Sequence, residues 1–364
     1  MLKILNLLIL LPVCSVGISQ TDTTSLKGGG VDQHIMDSLG LTNPEIQKKY
    51  NEGVRALTSK NYMEAVQKFT EVTLMDGTYA DAYYSRGLAF KELDKHDEAI
   101  SDFNKTLELN PKNAAAAYSK GLVYEKKGDF KSAADAYAQA GEINKLDETY
   151  PYFQGVALFQ SEQYEEAIIA FTEAIRRKPD YAYAHNDRGS AKVKLENFDG
   201  AIVDYNNAVK FDANLHFAYN NLGTAYRNKE DYTNAEKYYT EAIRKKPDYY
   251  VAYNNRGTAR FLLGKYQDAL SDFSKAIQIN PDYALAYNNQ ASVYIKLENF
   301  TEAVKACDKA ISLNAEFTEA FFNRGIAKEM LKDVAGACAD WQDAFILGSE
   351  NAELYINSPT CSGN

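Results

Sequence analysis

Residues 216–249 read HFAYNNLGTAYRNKEDYTNAEKYYTEAIRKKPDY, and the same pattern recurs every 34 residues along the chain. Gly223, at the eighth position of this copy, has a glycine counterpart in seven of the eight other copies, and Ala291 takes its place in one. Ala235, at the twentieth position, recurs in all nine copies. A fixed period of this size is the signature of a repeat protein. The sequence therefore predicts nine consecutive repeats over residues 46–351.

Each copy has the apolar spacing of two helices joined by a turn. In the copy at 216–249, Tyr219, Leu222 and Tyr226 lie three or four residues apart, which is the helical period. A polar turn at 229–231 separates them from a second apolar series. Pro247 follows that series, where a proline can end one helix before the next begins.

The glycine at the eighth position needs a physical reason, because glycine inside a helix costs about 0.8–1 kcal/mol relative to alanine. We expect close helix contact to provide it, with the alanine at the twentieth position lying almost on the backbone of the first helix. The aromatic residue at the twenty-fourth position, such as Tyr239, would then fill the groove to the next repeat. Cys307 replaces this ring in the eighth repeat.

This pattern resembles the tetratricopeptide repeat family, which has an aromatic residue at the fourth position, Gly at the eighth and Ala at the twentieth. The family also has an aromatic residue at the twenty-fourth position and Ala at the twenty-seventh. The resemblance implies an all-α fold, a right-handed superhelical solenoid of antiparallel helix pairs whose inner wall consists of the first helices. One departure is Pro151, inside the first helix of the fourth repeat, which we expect to be short and to begin near Thr149.

In the related family, the fifth and sixth positions of each repeat face the inner groove. Here tyrosine occupies the fifth position in the first four repeats, and asparagine follows at the fifth or sixth position in later repeats. The tyrosines are Tyr50, Tyr84, Tyr118 and Tyr152; the asparagines are Asn186, Asn220, Asn221, Asn254, Asn255, Asn288, Asn289 and Asn323.

Asparagine carries hydrogen-bond donors and an acceptor on one short arm. The asparagine row resembles the ladder of the O-linked N-acetylglucosamine transferase family, which holds the main chain of a peptide. We therefore expect the asparagines to bind peptide main chain and the tyrosines to contact a partner. Two alternatives stay open: the asparagines are a family consensus spread by repeat duplication, and the tyrosine rings pack on neighbouring helices.

The composition excludes several classes of function. Fifty acidic against 40 basic residues give the 364-residue chain a net charge of −10, which argues against a nucleic-acid partner. The sequence has no nucleophile elbow, phosphate-binding loop or pair of metal ligands at a useful spacing. We therefore expect no catalytic residue, no metal and no cofactor, and we expect a protein or peptide partner.

The predicted function is a non-catalytic protein–protein interaction scaffold of the cell envelope, with an extended peptide or a partner protein in its concave groove. A structural adaptor that binds through its convex face or its ends is one alternative. A glycan- or small-ligand-binding accessory subunit of an enzyme complex is another.

Residues 1–19 have the layout of a secretory signal peptide, with a positive start, an apolar run at 4–13 and small residues before the cleavage point after Ser19. The apolar run is too short to span a membrane. A lipid anchor at Cys14 is the alternative. Residues 20–45 have the composition of a flexible spacer. The sequence thus predicts export to the periplasm or cell envelope of a bacterium, or secretion.

The C-terminal tail, residues 352–364, follows the last repeat. We expect residues 354–356 to cover part of the apolar end that the last repeat exposes, which leaves end-to-end association open. Cys307 and Cys338 have the positions of small buried side chains, and Cys361 could form a disulfide with one of them in an oxidising compartment.

Overall fold

The computed structural model describes residues 43–358 and Cys361, and every regular element within these residues is a helix. Nine helix pairs follow one another, and a nineteenth, shorter helix follows the last pair. The predicted all-α repeat fold is therefore confirmed. The predicted signal peptide at 1–19 and all but the last three residues of the predicted spacer lie outside the described residues.

The helices are α1 Pro44–Thr58, α2 Tyr62–Met75, α3 Ala80–Glu92, α4 His96–Leu109, α5 Ala114–Lys126, α6 Phe130–Ile143, α7 Thr149–Gln160, α8 Tyr164–Arg177, α9 Ala182–Lys194, α10 Phe198–Phe211, α11 His216–Asn228, α12 Tyr232–Lys245, α13 Tyr250–Leu262, α14 Tyr266–Ile279, α15 Ala284–Lys296, α16 Phe300–Leu313, α17 Thr318–Met330, α18 Val334–Ile346 and α19 Glu350–Ile356. The fourth repeat begins with α7 at Thr149 and has a first helix of 12 residues, as predicted from Pro151.

Helix contacts divide the chain into two compact units, with the boundary between Asn197 and Phe198. The first unit contains α1–α9 and the second contains α10–α19. In the repeats that lie wholly within one unit, the two helices pack on each other and on the next repeat of that unit. First helices of consecutive repeats also contact each other directly, as α1 contacts α3 and α11 contacts α13. The first helices therefore form the inner wall of each unit.

The turn between the two helices of a repeat has the same backbone conformation in all nine copies. The fifteenth residue of each repeat lies in this turn and has a left-handed backbone conformation, with φ between 57° and 77°. Gly128 and Gly264 adopt this conformation without steric cost, whereas the seven other repeats place Lys, Asp or Glu there.

The glycine at the eighth position makes room for the ring at the twenty-fourth position. We expected it to make room for the alanine at the twentieth position, and that expectation was wrong. A Cβ atom added at Gly257 would lie 2.8 Å from Cε1 of Phe273, and one at Gly53 would lie 2.6 Å from Cε1 of Phe69. These rings are fully buried. The eighth repeat has a larger residue at the eighth position and a smaller one at the twenty-fourth. Ala291 carries a Cβ where the other repeats have glycine, and the small side chain of Cys307 packs in the same cluster as Ala291.

The C-terminal segment covers part of the end of the last repeat, as predicted, through Tyr355 and Ile356 but not through Leu354, which is 75% exposed. The ring of Tyr355 in α19 lies 4.7 Å from that of Trp341 and 5.1 Å from that of Phe322, centroid to centroid. Cys338 and Cys361 form a disulfide with a Cα–Cα distance of 5.6 Å. Cys307 is a free thiol and is fully buried. The disulfide therefore links the chain beyond α19 to the last helix pair.

Candidate functional site

The asparagine side chains form a hydrogen-bonded row between the first helices of consecutive repeats. Asn255 Nδ2 donates to Asn220 Oδ1 at 2.9 Å, and two equivalent bonds follow along the second unit. These are Asn289 Nδ2 to Asn254 Oδ1 at 3.0 Å and Asn323 Nδ2 to Asn288 Oδ1 at 2.9 Å. Each bond joins the sixth position of one repeat to the fifth position of the repeat before it.

All eight predicted asparagines are buried, including Asn186 and Asn221, with exposed fractions between 0% and 6%. The asparagines therefore do not form an open ladder in the structure, and their predicted contact with a peptide main chain stays a prediction. In this conformation, the paired amides hold neighbouring first helices in register instead of presenting a row of groups to a peptide main chain. Asn220 and Asn288 each keep one buried amide nitrogen without a partner among the described residues.

The tyrosines also link the first helices of consecutive repeats, but through hydroxyl groups instead of amides. The Tyr50 hydroxyl lies 3.3 Å from the Ser85 hydroxyl, and the Tyr152 hydroxyl donates to Asp187 Oδ2 at 2.8 Å. Each again joins a fifth position to the sixth position of the next repeat. The rings also pack on the buried aromatic residue of their own repeat, as Tyr118 does on Tyr137 at 5.5 Å between centroids.

Burial separates the four tyrosines. Tyr152 is 1% exposed, whereas Tyr50, Tyr84 and Tyr118 are half-buried. Burial raises the pKa of Tyr50 and the pKa of Tyr84, although hydrogen bonds to Ser85 and Ser119 lower them in part. These phenols are therefore neutral near pH 7, which suits an apolar contact.

Models of the tetratricopeptide repeat match residues 80–113, 114–145, 216–249, 250–283 and 284–317, and a further model of the same repeat matches 155–196. The chain belongs to the tetratricopeptide repeat family. No curated protein sequence matches it. Family membership supports a role as a protein-interaction scaffold.

Solved tetratricopeptide structures share the fold. A tetratricopeptide repeat protein from Parabacteroides merdae is 18% identical with a TM-score of 0.55, covering 68% of this chain and 97% of its own. The anaphase-promoting complex hetero-tetramer Cut9–Hcn1 contains a chain that is 15% identical with a TM-score of 0.53, covering 91% of this chain and 79% of its own. YrrB, described as having an unusual peptide-binding site, is 24% identical with a TM-score of 0.43, covering 51% of this chain and 96% of its own.

The ninth position of the tetratricopeptide repeat carries a division that the sequence reasoning missed. It is aliphatic in the first four repeats and a hydroxyl residue in the next four. The aliphatic residues are Val54, Leu88, Leu122 and Val156; the hydroxyl residues are Ser190, Thr224, Thr258 and Ser292. Each hydroxyl donates to the backbone carbonyl of the asparagine four residues earlier, as Thr258 Oγ1 does to Asn254 at 3.0 Å.

Because residues four apart share one face of a helix, the fifth and ninth positions form one stripe. In α1, α3 and α5 the stripe consists of half-buried Tyr50 and Val54, Tyr84 and Leu88, and Tyr118 and Leu122. We call these six residues the tyrosine–aliphatic stripe. Reading the ninth positions together with the fifth would have found it from the sequence.

Among the described residues, no group of three or more His, Cys, Asp or Glu side chains is arranged to hold a metal ion. Within the same part of the chain, no helix combines the length and the apolar character needed to cross a membrane.

Proposed function

We propose that this tetratricopeptide protein is a non-catalytic scaffold that binds a peptide or a segment of a partner protein on its inner wall. The observation that carries the proposal is the tyrosine–aliphatic stripe, which runs over three consecutive first helices of the first unit. It offers apolar side chains that are only half-buried. Tyrosine adds a large, rigid contact area with a polar tip, and it is enriched at protein interfaces.

The asparagines enter this proposal as residues that build the wall, since their amides are buried and paired with each other. The residues that contact the partner are Tyr50, Tyr84 and Tyr118, together with the aliphatic side chains beside them. Tyr152 is too deeply buried to share in that contact. The partner segment we expect is therefore apolar, since it must cover aromatic and aliphatic surface.

Peptide selection followed by one pair of leucine variants tests the proposal. Peptides that bind the purified chain are selected from a displayed random library, and the dissociation constant of the best one is measured by fluorescence anisotropy. Leu88→Gln alters the stripe, and Leu74→Gln is the matched control because Leu74 is 82% exposed on a second helix. Fully burying a leucine contributes about 1.5–3 kcal/mol, and Leu88 is already half-buried in the free chain, so Leu88→Gln is expected to weaken binding about three- to tenfold.

Circular dichroism of each variant establishes that it is folded before binding is measured. Equal affinities for Leu88→Gln and the wild-type chain would overturn the proposal, as would a similar loss in Leu74→Gln. A library that yields no binder to the wild-type chain would also count against it.

We also propose that the protein is exported and acts in the cell envelope or outside the cell. The signal-like pattern of residues 1–19 supports this, and so does the Cys338–Cys361 disulfide, because such bonds persist in oxidising compartments. Expression of the full chain in a bacterium, followed by mass spectrometry of the mature N-terminus, tests the proposal. A first residue at Gln20 supports it, a lipid-modified Cys14 favours the anchored alternative, and an intact Met1 in the cytoplasm overturns it.

A further inference from the structure

Arg227 is a buried cation that has no counter-ion among the described residues. It lies near the end of α11 and is 4% exposed. The Arg177 side chain is buried to a similar degree, with 7% exposed, but it pairs with Glu173 at 2.8 Å. The Nε atom of Arg227 has no hydrogen-bond partner. Burying a charge is costly unless it is paired, so such a side chain calls for an explanation.

Several other cations of the second unit are paired. Lys229 pairs with Asp199, Lys265 pairs with Glu236 at 2.7 Å, and Arg260 pairs with both Glu236 and Asp272. Arg256 holds Asp272 through two parallel hydrogen bonds of 2.9 and 2.7 Å. These three carboxylates are thus bound to other cations, and Arg227 forms none of the ion pairs found within the described part of the chain.

Arg227 belongs to the inner wall of the second unit. It stands three residues after Thr224 and seven after Asn220, so the three side chains share one face of α11. Burial raises the pKa of Tyr239, and the positive charge of Arg227 opposes that rise. The guanidinium therefore lies near the Tyr239 hydroxyl, which is 3.1 Å from Thr224 Oγ1.

The same face of α11 carries a second donor without a partner. Asn220 accepts from Asn255 through Oδ1, but its own Nδ2 donates to none of the described residues and is fully buried. At the twelfth position, the next two repeats have Phe261 and Ile295 where the sixth repeat has Arg227. A basic charge thus takes a place that is apolar in the next two repeats.

We propose that Arg227 binds a carboxylate of the partner peptide, with the face of α11 that carries Thr224 and Asn220 as the surrounding site. The inference rests on the proposed groove function and names the chemistry of one contact. A guanidinium binds a carboxylate through two parallel hydrogen bonds, and such charge-assisted bonds are about twice as strong as neutral ones. Phosphate groups are usually bound by clusters of arginines, whereas here a single guanidinium is available, which suits the single charge of a carboxylate.

Three peptide pools test the peptide contact. All are random octapeptides: the first has Glu at a central position and an amidated C-terminus, the second has Gln there and a free C-terminal carboxylate, and the third has Gln and an amidated C-terminus. The amount retained by the immobilised full chain is measured by mass spectrometry. We expect the wild-type chain to retain the first or the second pool about tenfold over the third, since a hydrogen-bonded ion pair provides at least that discrimination.

Arg227→Gln should remove this preference. Arg244→Gln is the matched control because Arg244 has a 61% exposed side chain paired with Glu241 on a second helix, and it should keep the preference. The pool that is retained shows whether the carboxylate comes from a side chain or from the peptide end. Equal retention of all pools by the wild-type chain, or an unchanged preference in Arg227→Gln, overturns the proposal.

Acetate tests the carboxylate site without any peptide. Thermal unfolding is followed in sodium acetate and in sodium chloride of equal ionic strength, because a ligand that binds only the folded state raises the midpoint. We expect acetate to raise the midpoint of the wild-type chain and of Arg244→Gln, but not that of Arg227→Gln. If acetate raises the midpoint but no peptide binds, the proposed groove function is contradicted while the carboxylate site at Arg227 is supported.

Three outcomes of the unfolding measurement contradict the carboxylate site. These are an equal effect of acetate and chloride on the wild-type chain, a larger Arg227-dependent effect of inorganic phosphate than of acetate, and a large loss of midpoint in Arg227→Gln without ligand. The last would show that the guanidinium is a structural group, and Arg227→Met provides the same comparison should Arg227→Gln fold poorly. An unpaired buried charge predicts that both variants are at least as stable as the wild-type chain.

Discussion

Replacing Gly257 by alanine is expected to destabilise the seventh repeat, although alanine is the better helix former. The added Cβ would lie 2.8 Å from Cε1 of Phe273 and 3.0 Å from two more atoms of that ring. The ring is fully buried in a cluster with Phe261, Ala269 and Val293, so it cannot retreat without displacing them. Overpacking of this kind costs about 1–3 kcal/mol, which exceeds the propensity gain of about 0.8–1 kcal/mol. We expect a net loss of about 1 kcal/mol.

Gly141 provides a control of opposite sign. It lies inside α6, and a Cβ built there would meet its nearest neighbours at 3.7 Å or more, which is ordinary van der Waals distance. Gly141→Ala should therefore keep most of the propensity gain and stabilise its repeat by up to about 1 kcal/mol. The pair separates steric contact from helix propensity, because both variants add the same methyl group to a helix.

Hydrogen exchange measured by mass spectrometry is the appropriate assay, since a repeat array does not unfold as a single two-state unit. Protection over residues 250–279 should fall in Gly257→Ala, and protection over 130–143 should rise in Gly141→Ala. Adding Phe273→Cys to Gly257→Ala recreates the Ala291–Cys307 pair of the eighth repeat, so the two changes together should cost less than their sum. Increased protection in Gly257→Ala would refute the reasoning.

Two other predictions concern the C-terminal end and alkaline pH. Cys338→Ser opens the loop closed by the 23-residue separation of Cys338 and Cys361 and should cost the last repeat about 3 kcal/mol; exchange over residues 334–356 measures this, and unchanged protection would contradict it. Burial, followed by the charges of Asp147 and Tyr84, raises the pKa of Tyr150 to about 12, so the folded state retains a proton that the unfolded state loses near pH 10. Stability should therefore fall as pH rises from about 10 to 12, and ionisation of all tyrosines near pH 10 without loss of helical dichroism would argue against this.

The repeat pattern was sufficient to predict the helices. Helix periodicity and turn signals are local properties, so a single copy predicts a helix pair and nine copies predict the array. Seven first helices begin at the first residue of a predicted repeat, among them α3, α11 and α13. The short first helix of the fourth repeat was also predictable, because proline restricts the backbone that precedes it.

The packing partners within and between repeats could not be read from the same pattern. The glycine at the eighth position indicates that another side chain approaches the first helix closely. The alanine at the twentieth position and the ring at the twenty-fourth both lie on the facing helix, and only the tertiary structure shows that the ring is the one in contact. The asparagine row is a similar case. Its regularity suits an open ladder as well as a buried one, and the Asn255–Asn220 contact decides between them.

The sequence by itself determined that this chain is a tetratricopeptide array with a tyrosine-rich first half and an asparagine-rich second half, since period and composition depend only on the order of residues. The tertiary structure decided which of those side chains remain at the surface. Burial depends on how closely neighbouring first helices pack. This packing pairs the asparagines, leaves the tyrosine–aliphatic stripe partly exposed, and buries Arg227 with no ion-pair partner among the described residues.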